Sequence, residues 1–413
     1  MKPSLYFRRS ALSGVRQRKG QVQLDLCEHR ADCGGCIYQG IPYTDQLELK
    51  AKEVLRHFKE NQVSFERFLG IEGSPQRYAY RNKMEYTFGN EVKEGEMTLG
   101  LHKRGRHMSV ITTDKCQLVD PDFNKILQAV LKFAQERGYS FYHKKSHKGL
   151  LRHLVLRKGE HTGELLVNIV TSTQFPFDGE AFVSLIEGLE LKNSVVGILH
   201  TENDNLSDSI RCDKLNILSG RDYYNEELMG LKFRVHIFSF FQTNVLAVER
   251  LYTEALSLIP DLSGKTVFDL YSGTGTIAQT AALQAEKVIG IELVEESVEA
   301  ARANAKMNGL TNCSFIAGDV PKVLDDIEEK PDVIFLDPPR SGVHPKAMEK
   351  ILNYGVKEIV YISCNPKTLA QNLATAMLFD YHVEVLKAYD NFPFTRHVEC
   401  VILMQRSGLK GEK

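Results

Sequence analysis

From residue 240 onward, apolar runs of strand length alternate with helical patterns: 266–271, 287–292, 313–316, 332–337 and 358–362. The runs are nearly unbroken, as in Val333-Ile-Phe-Leu336, so both faces of each strand must be covered. Parallel strands need long crossover connections, and the intervening helices supply them. This part of the chain therefore reads as α/β, an open and largely parallel sheet between two helix layers. Two further apolar segments, 381–386 and 399–404, bring the expected count to seven strands. Such sheets bind ligands in the crevice beyond the carboxyl ends of their strands. The residues at those ends are the ones to read for chemistry.

The first run ends in Asp269-Leu-Tyr271-Ser-Gly273-Thr-Gly275-Thr-Ile-Ala278. Glycines there let the backbone approach a cofactor, and Glu292, closing the next run, can bind a ribose diol. Gly-x-Gly-x-x-Ala alone is equally compatible with a nicotinamide cofactor. The fourth run ends in Asp337-Pro-Pro-Arg340, a stiff turn that presents a carboxylate and backbone to the cofactor, as in many S-adenosylmethionine-dependent methyltransferases. The fifth ends in Ser363-Cys364-Asn365-Pro366. A residue before proline avoids helical geometry, and proline suits the first helical turn. Cys364 is therefore expected on a strand-to-helix turn at the sheet edge. If the last strand runs antiparallel, Glu399 opens it where its neighbours end, near Cys364, Asp337 and Gly273.

At 413 residues the chain exceeds what one core usually holds. The expected division is a short basic segment at 1–26, a region at 27–235 and a catalytic domain at 236–413. Cys27, Cys33 and Cys36 cluster around a glycine pair. Three thiolates this close want a fourth ligand, and zinc or an iron–sulfur cluster is the usual occupant. Zinc modules mostly use two short cysteine pairs, so the triplet favours a cluster. Cys116 is the candidate fourth ligand, with a small buried hydrophobe as the plainer reading of that residue. The apolar face of 45–60 predicts a helix. Segments 83–88, 97–101, 151–156 and 164–170 read as strands of a mixed α+β region.

Net charge is −1, so any nucleic-acid surface must be a local patch. The basic stretches 103–107 and 143–148, the second followed by Arg152 and Arg157, are expected to supply it. No apolar run approaches the ~18 residues of a membrane span, and no signal-peptide core opens the chain. A soluble cytoplasmic protein is expected, with no membrane or protein partner in view.

The segments Phe240-Phe-Gln-Thr-Asn244, Asp337-Pro-Pro-Arg-Ser-Gly342, Ser363-Cys-Asn-Pro366 and Thr395-Arg-His-Val-Glu399 closely resemble the RNA uracil-5 methyltransferase family. The resemblance runs from Cys27 to about Met404. It implies a Rossmann-like, seven-stranded domain with the last strand antiparallel, preceded by an iron–sulfur segment and a central RNA-binding domain. It implies Cys364 as nucleophile and Glu399 as general base. It implies S-adenosylmethionine contacts from Gln242, Tyr271, Glu292 and Asp337, beside the Gly273 and Gly275 turn. Ribosomal members are similar in carrying ligands like Cys27, Cys33, Cys36 and Cys116 for a [4Fe-4S] cluster, so ribosomal RNA is favoured over transfer RNA as partner. Some members open with a small β-barrel, for which 26 residues are too few. Tyr271-Ser-Gly also stands where Phe-Cys-Gly is more usual.

The chemistry suits those residues. Uracil C5 is a weak nucleophile, and a soft thiolate adding at C6 makes it reactive. A base must then remove the C5 proton so that the thiol can leave. A cytosine-5 enzyme of the ribosomal type usually carries a Pro-Cys segment, which this chain lacks. A non-catalytic iron–sulfur RNA-binding protein would have no need of Cys364 and Glu399 together.

Overall fold

The computed structural model describes residues 26–407. The short basic segment 1–26 lies outside them except for Leu26. Helix α1 (Tyr43–Glu60) leads into β1 (Phe65–Glu72). A central block follows: β2 (Lys83–Asn90), β3 (Met97–Lys103), β4 (Arg106–Thr112), α2 (Pro121–Glu136), β5 (Leu151–Lys158), β6 (Glu164–Thr171), α3 (Gly179–Glu187), β7 (Ser194–Glu202) and β8 (Lys214–Gly220). The hairpin β9 (Tyr223–Leu228) and β10 (Leu231–His236) leads to α4 (Val245–Ser257). Strands and helices then alternate: β11 (Thr266–Leu270), α5 (Thr276–Ala281), β12 (Lys287–Glu292), α6 (Glu295–Met307), β13 (Cys313–Ala317), α7 (Val320–Asp326), β14 (Val333–Leu336), α8 (Pro345–Asn353), β15 (Glu358–Ser363), α9 (Pro366–Met377), β16 (Tyr381–Tyr389) and β17 (Glu399–Arg406).

The C-terminal sheet has eight strands in the order β1-β16-β17-β15-β14-β11-β12-β13. All pairings are parallel except those of β17, which lies antiparallel between β15 and β16. The seven expected strands are all present, and β1 adds an eighth by pairing in parallel with β16. Helix α1 packs on the same sheet: Val54 and Phe58 enter the apolar layer that also holds Leu373, Val383 and Leu386. Residues from the 27–235 stretch thus complete the sheet of the 236–413 stretch. β1 was hard to read because it is an edge strand. Its sequence, Phe-Glu-Arg-Phe-Leu-Gly-Ile-Glu, interleaves charge with apolar residues as an exposed edge requires.

The central sheet has seven strands, ordered β4-β3-β2-β5-β6-β7-β8. Its apolar face is covered by α2 and α3, through Phe123, Ile126, Leu127 and Phe182. Much of the positive charge expected to meet RNA is used internally here. Arg152 donates to the carbonyls of Asn203, Asn205 and Ser207. Arg157, fully buried, donates to those of His236, Ile237 and Ser239. Lys103 pairs with Asp32 and Glu91, and Lys144 pairs with Asp208. The runs were basic, but a buried guanidinium is a good ligand for loop carbonyls. No helix among the described residues is long and apolar enough to cross a membrane.

Phe58 is 1% exposed, and its ring centroid lies 6.0 Å from that of Phe65. Phe58→Ala is expected to cost about 3–5 kcal/mol in urea denaturation, in one cooperative transition. An unchanged midpoint would show that α1 and β1 are an appendage and not part of the sheet's core.

Candidate active site

The carboxyl edge of the C-terminal sheet gathers four turns. After β15 the chain passes through Cys364 to Asn365, which caps α9 by accepting from the Lys367 amide (3.2 Å), with Pro366 opening the helix. Cys364 therefore sits between the last strand residue and the helix cap, half-buried, as the proline pattern requires. The neighbouring turn, Asp337 to Arg340, is stitched to it: Asn365 Nδ2 donates to the Arg340 carbonyl (2.9 Å), and so does Thr368 Oγ1 (3.3 Å). Ser363 pairs with Cys400, so extending that antiparallel register by one residue sets Glu399 opposite Cys364.

The local electrostatics are dominated by buried acids. Burial and the nearby Asp337 push the Glu399 carboxyl up to about 8, against the pull of Arg340 and Lys50. Burial alone takes Asp337 to about 7. Cys364 is also raised, to about 11, by burial and then by Glu399 and Asp337, with Arg340 opposing. A helix start also favours a thiolate, but burial and the two acids outweigh both effects.

The glycine turn lies between β11 and α5. Tyr271 (φ 68°), Gly273 (φ 54°) and Gly275 (φ 77°) all adopt left-handed backbone there. A side chain at Gly273 would meet nothing within 4 Å, which leaves an open cradle at the strand end. At Gly275 a Cβ would fall 2.6 Å from the Phe315 ring, so only glycine fits. Glu292 accepts from the amides of Gly273 (3.0 Å) and Val294 (2.9 Å), which fixes its carboxylate beside the cradle. Gln242 donates to Tyr252 Oη (3.2 Å), which in turn meets Thr276 Oγ1 at the start of α5 (3.3 Å). Gln242, the glycine turn, Glu292, Asp337, Cys364 and Glu399 thus share one edge. An open cradle flanked by carboxylates fits an adenosyl cofactor with a cationic sulfur.

Residues 199–407 match the family model for tRNA (uracil-5-)-methyltransferase. Over 380 residues the chain is 50% identical to an uncharacterized RNA methyltransferase of Clostridium tetani, covering 92% of this chain and 83% of the other. The chain belongs to the uracil-5 RNA methyltransferase family. A more distant relative, an uncharacterized RNA methyltransferase of Bacteroides thetaiotaomicron, is 36% identical over 400 residues, covering 92% and 87%. Among solved structures, the Pyrococcus abyssi tRNA (uracil-54, C5)-methyltransferase in complex with S-adenosyl-L-homocysteine superposes with a TM-score of 0.74 at 27% identity, covering 90% of this chain and 86% of that one. As a member of this family the chain is an S-adenosylmethionine-dependent RNA methyltransferase.

The four cysteines named from the sequence of this methyltransferase line one cavity of about 190 Å³, together with Met84, Leu101 and Leu118. Burial first, then the other thiols, pushes Cys36 up to about 12 and Cys116 up to about 11. Such thiols ionise only if a cation is supplied between them. Among the described residues no group of three or more His, Cys, Asp or Glu side chains is arranged to hold a metal ion. Arg104 secures the segment by donating Nη2 to the carbonyls of Arg30, Cys33 and Cys36 (3.1, 3.2 and 2.7 Å).

Sequence reasoning missed several supporting residues. Asn244 caps α4 through Ala247 N (3.2 Å) and reaches the Asn391 carbonyl (2.8 Å). Its place after Gln242, just before an apolar helical run, is the signal that could have revealed it. Asp269, quoted only as part of the glycine motif, accepts from Ala278 N (2.9 Å) through one oxygen, and the other is buried without a partner.

Burial, then Asp337, lifts Asp269 from its ordinary 3.8 to about 8. A raised carboxyl favours the fold most below its unfolded pKa, and that contribution is lost as pH climbs through the folded value. In Asp269→Asn this cost is absent. The stability of the variant relative to wild type is therefore expected to improve between about pH 4 and about pH 8, measured by denaturant titration at each pH. A difference that stays flat across that range would mean Asp269 is ionised in the fold.

Proposed function

We propose that the protein methylates C5 of a specific uridine in RNA through a covalent bond between Cys364 and uracil C6. The observation that carries this reading is the placement of Glu399 opposite Cys364 at the sheet edge that also holds the glycine cradle. Asn365 ties the Arg340 backbone to the Cys364 turn, and the Arg340 charge favours the thiolate. The thiolate adds to C6 and generates an enolate, which makes C5 nucleophilic. Bound S-adenosylmethionine supplies the electrophilic methyl group to that carbon. Glu399 then takes the C5 proton, the Cys364–C6 bond breaks, and the C5–C6 double bond is restored. A carboxyl near 8 is matched to proton removal close to neutral pH. The target base must leave its stack to reach a half-buried thiol.

The cysteine cavity supports a [4Fe-4S] centre on Cys27, Cys33, Cys36 and Cys116, with Arg104 holding the surrounding backbone. The resemblance read from the sequence gives ribosomal members a similar quartet, so ribosomal RNA is the first target. Transfer RNA is the second, favoured by the likeness to the Pyrococcus abyssi tRNA enzyme. Lys145, Lys148, Arg106 and His107 remain candidates for phosphate contact on the central sheet.

Cys364→Ala is expected to abolish methylation while leaving S-adenosylhomocysteine affinity within about twofold, because the thiol acts on the base alone. Retained turnover would end the nucleophile assignment. Glu399→Gln should stall after methyl transfer, so a denaturing gel should show methylated RNA cross-linked to protein; an uncross-linked, fully active variant would refute the base assignment.

Mapping 5-methyluridine in RNA from cells with and without the protein is expected to show one ribosomal uridine losing its methyl group. Loss confined to transfer RNA would move the target and leave the chemistry standing.

A further inference from the structure

The loop 390–398 delivers Glu399 to the site, and its backbone is gripped by residues outside the cofactor and nucleophile turns. Lys50, on α1, has a side chain with 0% exposure, as does Asp390. Lys50 Nζ donates to Asp390 Oδ1 (2.5 Å) and to the Phe392 carbonyl (3.1 Å), and the Phe392 amide donates to the same Asp390 oxygen (3.1 Å). One turn earlier on α1, Gln46 Oε1 accepts from the Phe394 amide (3.0 Å). The Phe394 carbonyl in turn accepts from Ile37 and Tyr38, just beyond Cys36 (3.0 Å each).

This arrangement runs against ordinary burial. An amphipathic helix buries apolar residues, yet the inner face of α1 carries Gln46 and Lys50 in line with Val54 and Phe58. A buried ion pair contributes little net stability compared with an apolar replacement, so its presence calls for another reason. The Lys50 ammonium acts on Glu399, 349 residues further along the chain, and favours its ionised form.

We propose that Lys50 and Asp390 are positioning residues for the proton-removing step: the pair anchors the loop that carries Glu399, and Lys50 supplies positive charge that helps Glu399 stay ionised. The proposal rests on the reading of Glu399 as the base. Other groups face Glu399 as well: Asp337 and Arg340 from the turn after β14, Cys364 from the turn after β15, Cys400 beside it on β17, and Tyr389 opposite it on β16. Arg340 also attends Cys364, whereas Lys50 makes no hydrogen bond to the cofactor or nucleophile turns. Changing Lys50 therefore addresses the base separately.

The test measures kcat against pH on unmodified transcripts of ribosomal and transfer RNA. It also measures S-adenosylhomocysteine affinity and the covalent adduct with 5-fluorouridine transcripts, in which no C5 proton exists to be removed. Lys50→Met should move the acid limb of the profile to higher pH by about one unit, about a tenfold loss of turnover below that limb. It should also accumulate the methylated RNA adduct on a denaturing gel, while cofactor affinity and the fluorouridine adduct hold. Lys50→Arg should restore most of the turnover. Asp390→Asn keeps an oxygen for Lys50 and Phe392 but loses the countercharge, so its limb should move to lower pH. A wild-type limb in both Lys50→Met and Asp390→Asn overturns the proposal. So does parallel loss of all readouts in Lys50→Met with an unmoved limb in Asp390→Asn, which marks a merely structural pair. Glu399→Gln run alongside separates the two readings. If it turns over normally the base assignment itself fails; if it traps the adduct while the Lys50 variants match wild type, only the present proposal fails.

Discussion

The antiparallel ladder of β17 between β15 and β16 is the constraint on which the site depends. Every other strand of that sheet runs in one direction, so only β17 can begin where its neighbours end. A slip of one residue would turn each of its side chains to the opposite face. Apolar packing alone would not prevent that slip, because both faces are buried: Cys400, Ile402 and Met404 enter one apolar layer, Val401 and Leu403 the other. The ends pin the register instead. Gln405 donates to Glu358 (3.2 Å), the Arg406 amide to the Lys357 carbonyl (3.0 Å), and the Ser407 amide to the Asp380 carbonyl (2.7 Å). Polar contacts far from the chemistry thereby decide which residue faces Cys364.

Around that ladder the site is richer in acids than in cations. Asp269, Asp337 and Glu399 are all lifted well above ordinary carboxyl values, chiefly by burial. Arg340 and Lys50 are the cations that act on Glu399. On the proposed reading, the donor's sulfonium enters beside carboxyls that burial biases towards the protonated form, and its positive charge draws them towards ionisation. The same burial and the same acids oppose a thiolate on Cys364.

The strands of the C-terminal sheet were legible because strands covered on both faces must be nearly continuous in apolar residues. The turns were legible because Pro366 and the Asp337-Pro-Pro-Arg340 segment restrict backbone geometry wherever they occur. Glu399 could be placed from strand direction alone. Lys50 could not, since its partner Asp390 is 340 residues away and nothing local marks a helix lysine as buried. β1 was hidden by its edge-strand composition. Arg152 and Arg157 misled for a related reason: charge in a sequence does not tell whether water or a loop of carbonyls surrounds it. The cysteine triplet was legible by spacing, and Cys116 joins it only through the folding of the central sheet.

One feature of the sheet bears on how the molecule is made. β1 leaves the ribosome some 300 residues before β16, the strand it pairs with. Through most of synthesis it has no parallel neighbour, while the whole central sheet can form behind it. The long loop closed by this pairing makes it a late event, because the entropy of closure must be met before the contact returns anything. The charges that made β1 hard to recognise also keep its open edge from recruiting another chain while it waits. A shortened product ending before β16 would carry a folded central sheet, an unpaired β1 and no working site.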